Sequence, residues 1–330
     1  SEMCIRDRNK RGEIMYLEER VPQYLEELKE KYHCDDLDFS EINKNKKYVM
    51  SKGGGKKFIS ELNEQIDLDF IKESNLIENI EDVDVNAFLE DEGTEVVHDY
   101  QRKHELYNLD SVTLAKKSVE GCVVMATNPK LGILAFTTQH LAAFKYILRE
   151  ARRSHLNRKQ TGSFVPLTHE IIETANEMIL PGEFDAPSYY RNEYMMGGCH
   201  VTGANWTPVA NAKVPAKMEA LVRWYNEETE LNPIVKAAIL HCEFIAIHPF
   251  PDGNGRTARL LVNYELAKNN LPTIVIKARN KKAYLAALEK GITTGDVTDV
   301  AKMIAERVLA SQHKQVDAID KFYSLQKHTK

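Results

Sequence analysis

The residues best suited to chemistry lie together between His248 and Arg259, in the segment HPFPDGNGRTAR. His248 supplies an imidazole whose ordinary pKa of about 6.5 lets it take a proton from an incoming hydroxyl near neutral pH. Gly253 and Gly255 allow backbone N–H groups to approach phosphate oxygens, and a helix starting just after them adds unpaired donors and a favourable dipole. Arg256 and Arg259, three apart in the first turns of that helix, offer two planar forks on nearly one face, suited to successive phosphates. Asp252 would repel those phosphates unless it holds a hard cation such as Mg²⁺ bridging them. Phe250 has no reactive group, and its expected task is to anchor the loop in the core.

Taken singly, each feature has a plainer explanation. His248 before a proline could cap a helix, Asp252 to Gly255 could be a simple turn, and the arginines could lie on a solvated face. Their joint occurrence after an apolar helix that needs no polar loop for stability favours chemistry.

The elements that must position these residues are legible on both sides. Asn232 and Pro233 make a cap and first turn for the nearly all-apolar helix IVKAAILHCEFIAI, which must be central to the core. A second helix, RTARLLVNYELAKNN, carries the arginines. Upstream, TQHLAAFKYILREARRSH from Thr138 is an amphipathic helix, LTHEIIETANEMIL over 167–180 follows with Thr168 as its cap, and PGEF at 181–184 breaks it. Residues 189–209 have the profile of an exposed hairpin around Gly197 and Gly198, and helix resumes at Val214. KKAYLAALEKG and the long run from Thr298 are further helices. Near the N-terminus, helical spacing over 16–32 is interrupted at Pro22, SKGGGKK over 51–57 lacks phosphate-loop spacing and reads as a solvated hinge, and helices are expected over 58–69 and 71–81.

Composition narrows the setting. The 330 residues are 43% apolar and 28% charged with a pI of about 6.2, without the basic excess of a nucleic-acid binder. No long apolar run or export signal is present, so no membrane partner is expected and the cytoplasm is the expected location. The cysteines Cys4, Cys34, Cys122, Cys199 and Cys242 are scattered and unpaired in pattern, which argues against a disulfide framework or a zinc site. His241 lies on the central helix without a plausible set of co-ligands and is expected in the core. The opening SEMCIRDR reads as foreign sequence fused upstream, with Met15 the expected start.

HPFPDGNGRTAR fits H-x-F-x-[DE]-G-N-G-R-x-x-R at every specified position, and the chain here resembles the Fic family. The likeness extends from about Leu167 to Gln312, through PGEF, YRNEYMMGGCHV and AILHCEFIAIHPF. It implies an all-α Fic-type helical core with a small β-hairpin flap, preceded by an N-terminal helical region. The implied activity is transfer of AMP from ATP to a Ser, Thr or Tyr hydroxyl of a target protein or of the chain itself. His248 would be the base, Asp252 would hold Mg²⁺, and Gly253, Asn254 and Gly255 would contact the phosphates. Arg256 would bind the β-phosphate and Arg259 the γ-phosphate. Relatives that phosphorylate instead carry lysine in place of Gly255, so glycine favours AMP transfer. The flap, around Tyr190 to Val201, would clamp the target by strand addition, or is simply a surface hairpin.

A second pattern belongs to the same resemblance. Ser74, Glu78 and Asn79 fit the family's inhibitory motif [ST]-x-x-x-E-[GN], on the N-terminal side where one subclass places it. The resemblance implies that Glu78 competes with ATP for Arg259. The expected organisation is an extension over 1–14, a helical region over 15–140 with the inhibitory helix near 71–81, a catalytic core over 141–312 and a helical tail over 313–330. Two other outputs stay open: removal of AMP from a modified target by a water that Glu78 positions, and a nucleotide-responsive partner contact made by residues 16–140. The helix from Asp299 serves packing or homodimer formation.

Overall fold

The computed structural model describes residues 11–52, 66, 69–78, 129–180, 190–192, 199, 201 and 204–328; the side chains of 11–19, 129–138 and 326–328 are left out of the description. Among these residues the fold is all helical. In chain order the helices are α1 (Arg11–Lys31), α2 (Ser40–Ser51), α3 (69–77), α4 (Pro129–Thr161), α5 (His169–Ile179), α6 (Val214–Glu227), α7 (Pro233–Ile247), α8 (Asn254–Lys268), α9 (Lys281–Thr294) and α10 (Thr298–His328). None of them is both long and apolar enough to cross a membrane.

The centre is α7. Its sequence has no polar face to give to solvent, and it is accordingly buried along nearly its whole length, with α8, α6, α10 and α9 packed around it. The cap is as the sequence requires: Asn232 Oδ1 accepts the Ile234 N–H at 2.9 Å, and Pro233 occupies the first turn. His241 is 1% exposed, with Nε2 2.8 Å from the Tyr284 hydroxyl; burial first, and then the Arg259 charge, push its pKa down to about 3. Glu243, also buried, accepts from Lys31 Nζ at 2.6 Å and from the Tyr32 hydroxyl at 2.7 Å. These contacts place it against the end of α1.

Helix α8 lies against α7, α4 and α5. Its far end is pinned by a buried polar cluster in which Lys268 Nζ meets Glu265 at 2.8 Å and the Tyr225 hydroxyl at 2.6 Å. Thr168 caps α5 as expected, accepting the Ile171 N–H. Thr168→Ala should therefore lower stability by about 1 kcal/mol, seen as a lower denaturant midpoint at unchanged slope.

Several boundaries differ from the sequence reading. Helix α1 runs through Pro22 without interruption, because Val21, Tyr24, Leu25 and Leu28 are buried and α1 packs on α6, which outweighs one missing backbone donor. Helix α4 starts at Pro129, a residue pre-set for the first turn, rather than at Thr138. The expected divisions at 140/141 and 312/313 fall inside the continuous helices α4 and α10. Residues 190–192, 199, 201 and 204–209 contain no strand, and the rest of the expected flap lies outside the described residues, as do 53–57, PGEF at 181–184 and most of the expected helix over 58–69.

Candidate active site

Helix α7 ends at His248, which adopts the left-handed conformation (φ 53°, ψ 60°) that non-glycine residues seldom take. Its amide still donates to Phe244 O at 2.9 Å, so His248 is at once the last helical donor and the first residue of the turn. Nδ1 is buried, which leaves Nε2 as the nitrogen able to meet a hydroxyl. The Trp206 ring lies 6.4 Å from the imidazole, centre to centre. Burial, with the Arg191 cation second, pushes the imidazole down to about 4, against the opposing carboxylates of Glu78 and Asp252. The imidazole of His248 is therefore neutral at pH 7.

The turn that follows is held from inside. Phe250 is fully buried, beside Tyr190 and Phe244. The Asn254 side chain clasps its backbone twice, accepting the Phe250 N–H at 2.9 Å and donating to Phe250 O at 2.7 Å. Asn254 was expected to face phosphate; with its amide spent on Phe250, only its main chain is placed to do so. Asn176 Nδ2, from α5, donates to Asp252 O and to Thr257 Oγ1, each at 3.0 Å. Gly253 has φ +76°, and a β-carbon there would press on Asn176, so both its conformation and its surroundings demand glycine. The outcome is a rigid turn feeding the first N–H groups of α8, which no helical carbonyl can take.

Asp252 stands outward, its side chain 66% exposed, with Oδ1 accepting the Gly253 N–H at 2.6 Å and Oδ2 3.3 Å from Arg256 Nη2. Among the described residues no group of three or more His, Cys, Asp or Glu side chains converges as a metal site. A single outward carboxylate does suit Mg²⁺, which keeps waters and takes its remaining ligands from phosphates. Arg256 is 4% exposed and reaches Ile179 O as well as Asp252.

Arg259, 3% exposed, is engaged by residues from far upstream. Its Nε donates to Ser74 Oγ at 2.8 Å, and its Nη2 donates to Ser74 O at 3.0 Å and to Glu78 Oε1 at 2.7 Å. Burial raises the Glu78 carboxyl, but Arg259, then Arg256 and Lys281, outweigh it and hold the group below the usual carboxylate value. A β-carbon on Gly255 would overlap Glu78 Oε1, so glycine at this position is also what admits the carboxylate. Asn79, the third residue of the upstream pattern, lies outside the described residues.

Sequence reasoning missed what seats α3. Phe70, Ile71 and Ile77 are buried, and Phe70 stacks on Phe144 of α4 at 4.4 Å. Asn75 Oδ1 lies 2.9 Å from Nδ1 of His140, which is wholly buried and held well below its usual pKa by burial and then by the charges of Arg256 and Arg259. On the outer side Glu73 accepts the Ala278 N–H at 2.7 Å and pairs with Lys277 at 3.2 Å. Only the apolar periodicity of 71–81 hinted at this docking. Arg191 was missed too: it is 4% exposed and donates to carbonyls of the α7 terminus. A cavity of about 440 Å³ between α1, α6 and α7 shares no residue with this site.

Residues 166–266 match the family model described as the Fic/DOC family. Over 116 residues, 34% of this chain and 23% of the relative, the sequence is 34% identical to the protein adenylyltransferase fic-1 of Caenorhabditis elegans. Over 120 residues, 36% of this chain and 23% of the relative, it is 33% identical to the protein adenylyltransferase Fic of Drosophila melanogaster. Both matches thus span under a quarter of the relative's length. A crystal structure of a Fic domain containing signaling protein from Bacteroides thetaiotaomicron has a similar fold, with TM-score 0.55 and 24% identity over 84% of this chain and 98% of that one.

Proposed function

Because this chain carries a Fic domain over residues 166–266, we propose that it is a protein adenylyltransferase held in an inhibited state by its own Glu78. In the reaction, a Ser, Thr or Tyr hydroxyl of a target protein, or of the chain itself, attacks the α-phosphorus of ATP. The bond from that phosphorus to the β-phosphate oxygen breaks, pyrophosphate leaves, and the hydroxyl proton passes to His248. The turn from Asp252 to Gly255 and the open end of α8 receive the phosphates, and Arg256 neutralises charge on the β-phosphate. Asp252 is the residue that would hold Mg²⁺, whose chemistry is to offset the charge of the departing pyrophosphate.

The inhibition is supported by one observation: Arg259, the arginine that in this reading takes the γ-phosphate, already has a carboxylate at 2.7 Å. ATP and Glu78 are both anions competing for one buried guanidinium, so nucleotide seated without that anchor presents its α-phosphate poorly for attack. The test is incubation of the wild-type chain and Glu78→Gly with labelled ATP, Mg²⁺ and lysate, followed by mass spectrometry of the labelled species. A second reading, removal of AMP from a modified protein, is favoured by the position of Glu78, 36% exposed and close enough to His248 to act on its charge. Release of free AMP from pre-modified protein, incubated without ATP, separates the two.

A further inference from the structure

Arg191 lies in the segment between α5 and α6, yet three of its hydrogen bonds go to the end of α7. Nε donates to His248 O at 2.7 Å, Nη2 to Ile247 O at 2.9 Å and to Val209 O at 3.0 Å, and the Arg191 amide donates to Pro249 O at 2.7 Å. Nη1 meets the Asn211 side chain. Three consecutive carbonyls, those of Ile247, His248 and Pro249, therefore share one residue as donor. The last carbonyls of a helix have no intrahelical partner, and a cation there also complements the helix dipole. Fixing the carbonyls before and after His248 fixes ψ of Ile247 and His248, and so the direction in which the imidazole leaves the chain.

Beyond the Asn254 clasp on Phe250 and the His248 amide to Phe244 O, the described side-chain bonds that reach the Ile247 and His248 carbonyls come from Arg191. A histidine gains nothing intrinsically from φ 53°, and such a residue persists only where its surroundings over-determine it. We propose that Arg191 is the positioning residue for His248, its buried fork holding the main chain of the base in the left-handed turn. The inference rests on the reading of His248 as the base. The same guanidinium is the cation nearest in effect to the imidazole, after burial, in keeping it neutral; Glu78 from the end of α3 and Asp252 from the turn act in the opposite sense. One side chain thus bears on both the geometry and the protonation of the base.

Two variants in the Glu78→Gly background separate these effects. Arg191→Gln removes the charge, and the His248 resonance, assigned by its loss in His248→Ala, should titrate higher than in the parent. Arg191→Lys keeps the charge and loses the fork: the titration should stay low, exchange of the His248 and Phe250 amides should quicken about tenfold, and kcat should fall about tenfold or more with little change in KM for ATP. An unmoved titration in folded Arg191→Gln overturns the proposal, as does unchanged amide exchange in Arg191→Lys. If Arg191→Gln does not fold, the lysine variant decides alone. Titration and exchange are read without turnover, so a parent chain that transfers no AMP would sink the proposed activity while leaving Arg191 separately judged.

Discussion

Replacing Glu78 by glycine should raise AMP incorporation from labelled ATP, into the chain itself or into lysate proteins, by about tenfold or more. A unit-charge pair at about 4 Å and an effective dielectric near 20 has a gross attraction of roughly 4 kcal/mol. The carboxylate is 36% exposed, and solvent screening reduces that figure. If about a third survives, ~1.4 kcal/mol, the occupancy of Arg259 shifts tenfold. Ser74 would remain as a neutral partner of the fork, so the arginine is not stranded in the variant. No change in labelling while ATP still binds would rule out gating by this residue.

The protonation of Glu78 also limits how the proposed gate could open. Its folded pKa lies below that of a free carboxyl, so the pair contributes stability that is fully present above the unfolded value and is lost only as pH falls through the lower, folded one. At neutral pH the carboxylate cannot be protonated away. In the proposed inhibited state, release would come from moving α3, whose other polar attachments include Asn75 to His140 and Glu73 to Ala278 and Lys277.

The second large effect is expected at His248. In the Glu78→Gly background, His248→Ala should lower AMP transfer by about 10²–10⁴-fold, the usual contribution of a positioned base, while nucleotide binding through the turn and the arginines persists. The acid limb of the pH–rate profile should fall no higher than about pH 4, since burial and Arg191 hold the imidazole at about 4 and the variant removes the opposing Glu78 carboxylate. Because the folded pKa is depressed below the unfolded value of about 6.5, the unfolded chain binds more protons between those values, and stability declines as pH drops through that window. A limb at 6.5 in the active variant would mean that the working imidazole is solvated, and would refute the environment described here.

How much could be read beforehand depends on how local the determinant is. The caps at Thr168 and Asn232, the buried α7 and the start of α8 follow from residues within one or two turns, where side-chain oxygens, proline and apolar periodicity act directly. Pro22 and the start of α4 were misread for the opposite reason. Burial of Val21, Tyr24, Leu25 and Leu28 is a tertiary gain, and no local pattern at Pro22 announces it. The division at 140/141 fell inside α4 because the periodic signal begins at Thr138 while the helix begins at Pro129.

The segment from His248 to Arg259 was legible as a set of reactive groups because its turn brings close neighbours in sequence together in space. The sequence by itself therefore determined the inventory of the site: an imidazole, a carboxylate, a glycine turn and two arginine forks. It could not assign their states. That the imidazole is neutral, that the Asn254 amide is spent on Phe250, that Arg259 is already occupied and that Arg191 holds the turn are consequences of burial and of contacts across as many as 185 residues of chain. Charge, hydrogen bonding and desolvation act through space, and only the packed helices decide which groups share it.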